Sequence, residues 1–378
     1  MMKRKIRMGM VGGGLGAFIG GVHRIAARLD GKIELVCGAF DIDPEKCKIV
    51  GRELFLPEER CYATFDEMFE KESALPEGER MDFVSICTPN HLHFPIAMKA
   101  LQAGFHVVCE KPMTLTVEDA EALAAEVERT GLIFCLTHNY TAYPMVRVAR
   151  DMVKGGDLGE IRRIMVEYPQ GWLADVVKPE NMQGTWRTNP KTSGVSCCMG
   201  DIGSHSENLA EFVTGLKISA VSANIKSFVP GRTLDDDGDV LLKFDNGAIG
   251  SLSASQVAVG EENALKIRVY GTKAGIEWNQ QNPESLIVKY NDRPMQVIRR
   301  NWAGAGSKWS RIPAGHPEGF LEAFANIYSD LANAVNARLN GEEYTPEFPT
   351  VIDGLRGVRF VHAVVKNSAG NEKWTTLD

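Results

Sequence analysis

Two short groups of residues, far apart in the chain, carry the types needed for proton chemistry at a hydroxyl. The first is Glu110-Lys111-Pro112. The second is Asp201-Ile202-Gly203-Ser204-His205, whose acid and histidine stand at i and i+4 and so share one face of a helix. His205 can take a proton near neutral pH. Asp201 can hydrogen-bond a substrate or hold charged partners in place. Proline restricts the residue before it, so Lys111 is expected on an extended backbone that holds it rigid. Each group also has a plain reading. Glu110-Lys111-Pro112 alone reads as a surface lysine before a turn, and Asp201 with His205 as a capping acid and a satisfied helix histidine.

A third feature changes the balance. Gly12-Gly13-Gly14-Leu15-Gly16-Ala17 follows an apolar strand and opens a helix. In Gly12-x-Gly14-x-x-Ala17, Gly12 permits the tight turn and Gly14 lets the backbone approach a pyrophosphate on the helix N-terminus. Ala17 stands where a third glycine is common. The next strand ends in Phe40-Asp41, where an acid can bind both ribose hydroxyls. Asp41 would repel a 2'-phosphate, and Ile42 supplies no arginine for one, so NAD is expected over NADP. A nicotinamide cofactor beside a lysine and a histidine is equipment for moving a hydride off a carbon that bears a hydroxyl.

The elements that must position these residues are legible. Strand signals at 6–11, 33–40, 82–87, 105–109 and 132–136 alternate with helix signals, which implies a doubly wound parallel sheet. Thr116 and Asp119 approximate a capping box, and Gly131 ends that helix. After about residue 150 strand candidates follow one another: 161–168, 218–229, 240–244, 248–257, 265–270, 286–290 and 296–300. Asp245-Asn246-Gly247 is a hairpin signal. The expected fold is α/β: a Rossmann domain over 1–140, then an α/β domain over 141–378 with a large, mostly antiparallel sheet. Helices at 317–339 and 351–365 close the chain, the last placed to pack back on the first domain.

Other motifs are weaker. Thr88-Pro89-Asn90-His91-Leu92-His93 lies at a strand end, where cofactors bind in such sheets. His91 and His93 form a pair with no third metal ligand nearby, and no metal is expected. Tyr143, Trp172, Trp186 and Arg187 can form an aromatic and cationic wall suited to a sugar ring, or be plain core aromatics. Asp235-Asp236-Asp237-Gly238-Asp239 fails the EF-hand pattern and reads as a solvated turn.

Composition limits the classes. With 378 residues, two domains are expected. A net charge of −7 argues against nucleic acid as the main partner, and no apolar run approaches a membrane helix. The basic start, residues 1–5, leads into a strand with no signal-peptide core. Eight cysteines without a Cys-x-x-Cys pair, several inside apolar runs, read as buried thiols in a reducing cytoplasm.

Taken together, these segments resemble the glucose-fructose oxidoreductase/inositol dehydrogenase (Gfo/Idh/MocA) family over nearly the whole chain. The resemblance implies that Lys111, Asp201 and His205 form the catalytic set. It places Gly12, Gly14, Leu15, Asp41, Thr88, Asn90, His93, Glu110, Lys111 and Asn139 near NAD, with Trp186 and Arg187 close to it. It places Lys111, Tyr143, Trp172, Arg187, Asp201 and His205 near the substrate. Residues 169–173 and 186–190 are similar to the sugar and glycoside dehydrogenase branch, which includes levoglucosan dehydrogenase. Cys197-Cys198-Met199 departs from the glycines that many members carry there.

The implied activity is NAD-dependent oxidation of a secondary hydroxyl of a sugar, glycoside or cyclic polyol, with C3 of a glucoside preferred. A homodimer or homotetramer in the cytoplasm is expected. Three other readings stay open: sugar-to-sugar transfer on a retained NAD, oxidative glycoside cleavage, and a non-catalytic NAD(H) sensor.

Overall fold

The computed structural model describes residues 2 and 4–377. The chain divides into two compact units. One runs to Asn139 and includes Phe324–Leu355; the other comprises Tyr140–Ala323 and the chain from Arg356 on.

The first unit is built on β1 (Ile6–Gly12), β2 (Ile33–Ala39), β3 (Phe83–Cys87), β4 (His106–Cys109) and β5 (Phe134–Leu136). All pair in parallel, in the order β2-β1-β3-β4-β5. Their residues are almost wholly apolar, as strands buried on both faces must be. The intervening helices are α1 (Phe18–Leu29), α2 (Pro44–Glu53), α3 (Phe65–Ser73), α4 (His93–Gln102) and α5 (Val117–Thr130). Thr116 caps α5 through the Asp119 N–H, and Gly131 closes it in the left-handed region. The order reverses between β1 and β3, where Gly12 stands opposite Cys87 at the carboxyl ends. That switch point is where such sheets receive ligands.

The second unit holds α6 (Pro144–Lys154), β6 (Ile161–Pro169), α7 (Met182–Arg187), α8 (Pro190–Ser193), a π-turn (Met199–Gly203) that runs into α9 (Ser204–Thr214), and the strands from β7 onward. Those strands are β7 (Ile218–Lys226), β8 (Asp237–Phe244), β9 (Ile249–Ser255), β10 (Lys266–Gly271), β11 (Gly275–Asn279), β12 (Ser285–Lys289) and β13 (Gln296–Arg299). The closing elements are α10 (Phe320–Leu339), α11 (Val351–Ala369) and β14 (Thr375–Thr376). Nine strands form one sheet in the order β13-β12-β11-β10-β6-β9-β8-β7-β14. Only β6 with β9 is parallel among its pairings; the rest are antiparallel. Strand β8 alternates buried and exposed residues, so one face packs on the unit's core and the other does not.

Three expectations change here. Segment Phe324–Leu355 groups with the first unit, so most of the penultimate helix and the start of the last are counted there. Strands β11 and β14 and helix α3 join the elements read from sequence. The 235–239 turn is not solvated: Asp235 and Asp236 are buried, and β8 begins within the segment. Among the described residues, no helix is long and apolar enough to cross a membrane.

Candidate functional site

In the first unit the glycine turn has the expected shape for a sequence-based reason. Gly12, Gly13 and Gly16 all have positive φ, which glycine alone adopts without strain. A Cβ on Gly12 would meet the Cys87 carbonyl oxygen at 2.8 Å, and one on Gly14 would meet the Phe40 carbonyl oxygen at 2.7 Å. The same point on Gly14 lies 3.3 Å from Asp41 Oδ2, which puts the acid beside the turn. The close approach of the helix to the turn falls at Gly20. A Cβ on Gly20 would sit 2.3 Å from the Gly13 Cα, so Gly20 is what lets α1 pack against the turn. Ala17 is the N-cap of α1, and no side chain caps this end. The first amides of a helix, uncapped and at the positive end of its dipole, suit an anion.

Beyond the carboxyl ends of β3 and β5, Thr88 and Asn139 carry polar atoms that point to a ligand. Thr88 Oγ1 and Asn139 Nδ2 are buried and lack a hydrogen-bond partner within the protein. A buried donor or acceptor left unpaired is costly, so both fit a cofactor that supplies the partner. Asn90 is buried at the start of a short 3-10 turn after Pro89. Leu15 is half exposed beside the glycines. This donor set and glycine cradle fit NAD: Asp41 for the ribose, the amides of α1 for the pyrophosphate.

His93 and Glu110 make their side-chain contacts within the first unit. Both ring nitrogens of His93 meet backbone carbonyls, Pro112 O at 2.8 Å and Thr88 O at 2.9 Å. Burial lowers its pKa, and a neutral ring has one N–H, so it donates to one of these two carbonyls. Glu110 turns its carboxylate into the unit. It faces His23 Nε2 at 2.9 Å, accepts the Thr137 hydroxyl, and takes the Lys111 backbone N–H at 3.3 Å. Burial pushes its pKa up, but His23 and Lys111 outweigh that and hold it below the usual carboxylate range. Lys111 is half-buried, and its bond to Pro112 is cis. His23 had no signal in the sequence, because its partners are distant in the chain.

In the second unit Asp201 sits inside the π-turn, which leads into the helix that bears His205. π-turns often occur at functional sites. Oδ2 of Asp201 accepts from Arg187 Nε at 3.1 Å and from Gln256 Nε2 at 3.0 Å. The guanidinium lies 4.2 Å from the Trp186 ring centroid and 5.6 Å from that of Trp172. Arg187, Trp172, Trp186 and Asp201 are thus brought together. His205 is buried, with Tyr140 edge-on to it at 4.8 Å and Tyr168 at 6.3 Å.

A chain of polar contacts leads from there back to the tryptophans. The hydroxyls of Tyr140 and Tyr168 are 2.5 Å apart. Tyr168 and Gln170 both donate to Asn263 Oδ1, and Trp172 Nε1 donates to Gln170 Oε1. Tyr143 is not part of a wall. At 2% exposure it lies in the core, stacked on Tyr140 and packed against Trp278.

Two residues missed in the sequence secure this part. Asp235 accepts the amides of Cys197 (3.0 Å) and Met199 (2.8 Å) and the Ser196 hydroxyl (3.0 Å), and so fixes the start of the π-turn. Gln256 is wholly buried and also accepts from Cys197 Sγ at 3.2 Å. A run of aspartates signalled the first; nothing signalled the second. Among the described residues, no group of three or more His, Cys, Asp or Glu is placed to hold a metal ion.

Comparison with known proteins decides the family. Residues 6–138 match the model of an oxidoreductase family with an NAD-binding Rossmann fold, and residues 146–277 match the Gfo/Idh/MocA C-terminal domain. The chain belongs to the Gfo/Idh/MocA oxidoreductase family. Within this family it is similar to an inositol dehydrogenase homolog from Azotobacter vinelandii solved with NAD+. The identity is 34%, covering 99% of this chain and 98% of that one, with a TM-score of 0.94. An oxidoreductase structure from Sinorhizobium meliloti is 44% identical over 99% of this chain and all of that one, with a TM-score of 0.88. Levoglucosan dehydrogenase of Pseudarthrobacter phenanthrenivorans is 27% identical over 78% of this chain and 79% of its own. As a Gfo/Idh/MocA member the chain is an NAD-dependent oxidoreductase.

Proposed function

We propose that this protein oxidises a secondary hydroxyl of a sugar, glycoside or cyclic polyol, with C3 of a glucoside the preferred position. The observation that carries the reading is Asp201, held by Arg187 and Gln256 a few residues from a buried His205. Aromatic rings and side-chain amides extend from these residues: Trp172 and Trp186 lie on Arg187, Tyr140 on His205, and Gln170 and Asn263 join through Tyr168. Aromatic faces suit the apolar faces of a sugar ring, and fixed amides suit its hydroxyls. The relatives named for inositol and levoglucosan support the same substrate class.

In the proposed reaction His205 takes the hydroxyl proton, and Asp201 orients the hydroxyl. Lys111 stabilises the negative charge that develops on oxygen. When bound, NAD supplies the hydride acceptor. Asp41 and the glycine turn hold and orient it, and Asp41 disfavours a 2'-phosphate. Leu241 and Ile249, each at least half exposed on neighbouring strands of the sheet, support a homodimer or homotetramer. Eight free cysteines support a reducing compartment.

The test is absorbance at the NADH band while the protein and NAD meet a panel of glucosides, free sugars, inositols and levoglucosan. A rise with one group supports the reading and names the substrate. No rise with any member, and no reduced sugar when a 3-keto sugar is added as acceptor, leaves the NAD(H) sensor.

A further inference from the structure

We propose that His23 is a positioning residue: through Glu110 it holds the backbone from which Lys111 projects. The role of Lys111 itself rests on the dehydrogenase reading above. His23 lies in α1, wholly buried, and reaches across the strand ends. Its Nε2 faces Glu110 Oε1 at 2.9 Å, and its Nδ1 meets the Tyr328 hydroxyl at 2.6 Å. That hydroxyl is 2.9 Å from Ser85 Oγ. Glu110 spends its other contacts on Thr137 and on the Lys111 amide. Polar groups from α1 and the loops after β4 and β5 thus meet on one carboxylate, with Tyr328 of α10 and Ser85 of β3 behind the histidine.

A buried ion pair gives little stability over an apolar replacement, so holding a position is the better account of this one. The hydrogen-bond chain also tolerates either charge state of the ring. With His23 charged, both ring N–H groups donate, to Glu110 and to Tyr328, and Tyr328 donates on to Ser85. With His23 neutral, Nε2–H still donates to Glu110, and Tyr328 donates back to Nδ1. Neither state leaves a group of this chain without a partner, so Glu110 keeps its place when a proton moves nearby. The titratable neighbours are Cys87 and Tyr328 on the His23 side, and Lys111, Cys109, His93 and His138 on the Glu110 side. Burial opposes charge on His23, but the acidic groups around it raise its pKa well above the ordinary value.

The test uses His23→Gln, which keeps a donor toward Glu110 without the charge, and Tyr328→Phe, which removes one hydroxyl. Both should fold and bind NAD within about threefold of wild type. Turnover of His23→Gln at saturating substrate should fall roughly tenfold or more, with KM little changed. Its acid limb should move to higher pH, because Glu110 has lost its cation. Tyr328→Phe should show a smaller change in the same direction.

Unchanged turnover and an unchanged pH profile in His23→Gln overturn the proposal. So does a loss that only follows the folded fraction. If wild type turns over nothing on the sugar panel, the dehydrogenase reading fails and this role with it. Histidine 15N spectra of the free protein give a readout besides activity. The His23 ring should remain an imidazolium at a pH where free histidine is neutral, and become neutral in Glu110→Gln. A wild-type ring whose Nε2 carries no proton overturns the pairing, because it has nothing to donate to Glu110.

Discussion

The side-chain amide of Gln256 donates to Asp201 Oδ2 at 3.0 Å, from a position 55 residues further along the chain. The same oxygen takes the Arg187 Nε–H. One donor is neutral and buried; the other is a cation stacked on two indoles. Together they fix the rotamer of Asp201 and leave its charge partly balanced, as suits an acid that orients substrate instead of accepting a proton.

Replacement of Gln256 by leucine should therefore affect catalysis more than folding. The leucine fills the volume, but Asp201 loses one fixed donor and the Cys197 thiol loses its acceptor. The expected loss in kcat/KM is about tenfold, close to 1.4 kcal/mol in transition-state binding. Arg187→Ala should cost more, because charge and stacking go together. Lys111→Ala and His205→Ala should lower turnover by roughly 100-fold to 10,000-fold, with NAD affinity little changed. Steady-state kinetics with NAD titrations check all four. Near-normal turnover in either of the last two would remove that residue from the catalytic set.

At the glycine turn the prediction is steric. A Cβ on Gly20 would lie 2.3 Å from the Gly13 Cα, with only backbone on the far side. Gly20→Ala must push α1 off the turn and displace the amides offered to the pyrophosphate. The expected cost is about 1–3 kcal/mol of stability and at least a tenfold weaker NAD. Gly21→Ala, with nothing within 4 Å of its Cβ, should leave NAD affinity unchanged and raise stability by up to about 1 kcal/mol. Urea unfolding and NAD titration on the two variants make the comparison.

Asp41 should set the choice between NAD and NADP. Its carboxylate lies beside Gly14, and Ile42 next to it is almost fully exposed and uncharged. Asp41→Ser removes the charge that a 2'-phosphate would meet. The ratio of kcat/KM for NADP over NAD should rise tenfold or more, chiefly through the KM for NADP. An unaltered ratio would mean that another group discriminates.

Much of the first unit was legible because buried parallel strands are continuous apolar runs, and glycine at positive φ marks the turn between strand and helix. The Thr116 cap on the Asp119 N–H and the left-handed Gly131 appear as read. Helix α3 escaped because it is short and rich in acids, and β11 because it is five residues long behind a glycine. The π-turn under Asp201 was invisible, since one extra residue in a helix hardly disturbs periodicity. His23 and Gln256 were hidden for a different reason. Their roles exist only through partners 87 and 55 residues away, and nothing local distinguishes them. Tyr143 misled because an aromatic that lines a pocket and one that sits a layer behind it have the same local sequence signature.

The last prediction concerns acid. His106 is buried, and its Nδ1 accepts the Ile133 backbone N–H at 3.0 Å. Burial, then Arg338, lower its pKa to about 4. A proton on that nitrogen would break the hydrogen bond and place a charge in the interior. His138 is depressed further, to about 3, by burial and by Lys111. The unfolded chain takes up these protons near pH 6.5, while the folded chain resists until about pH 4 or below. The unfolded state therefore binds more protons across that window, and stability must fall as pH drops through it. For His106 alone the shift corresponds to about 3 kcal/mol. Urea unfolding should show a steady loss of stability from about pH 7 down to pH 4. His106→Gln, which keeps an acceptor for Ile133 but cannot titrate, should flatten that slope while costing little at pH 7.5. An equally steep slope in the variant would assign the acid sensitivity to other groups.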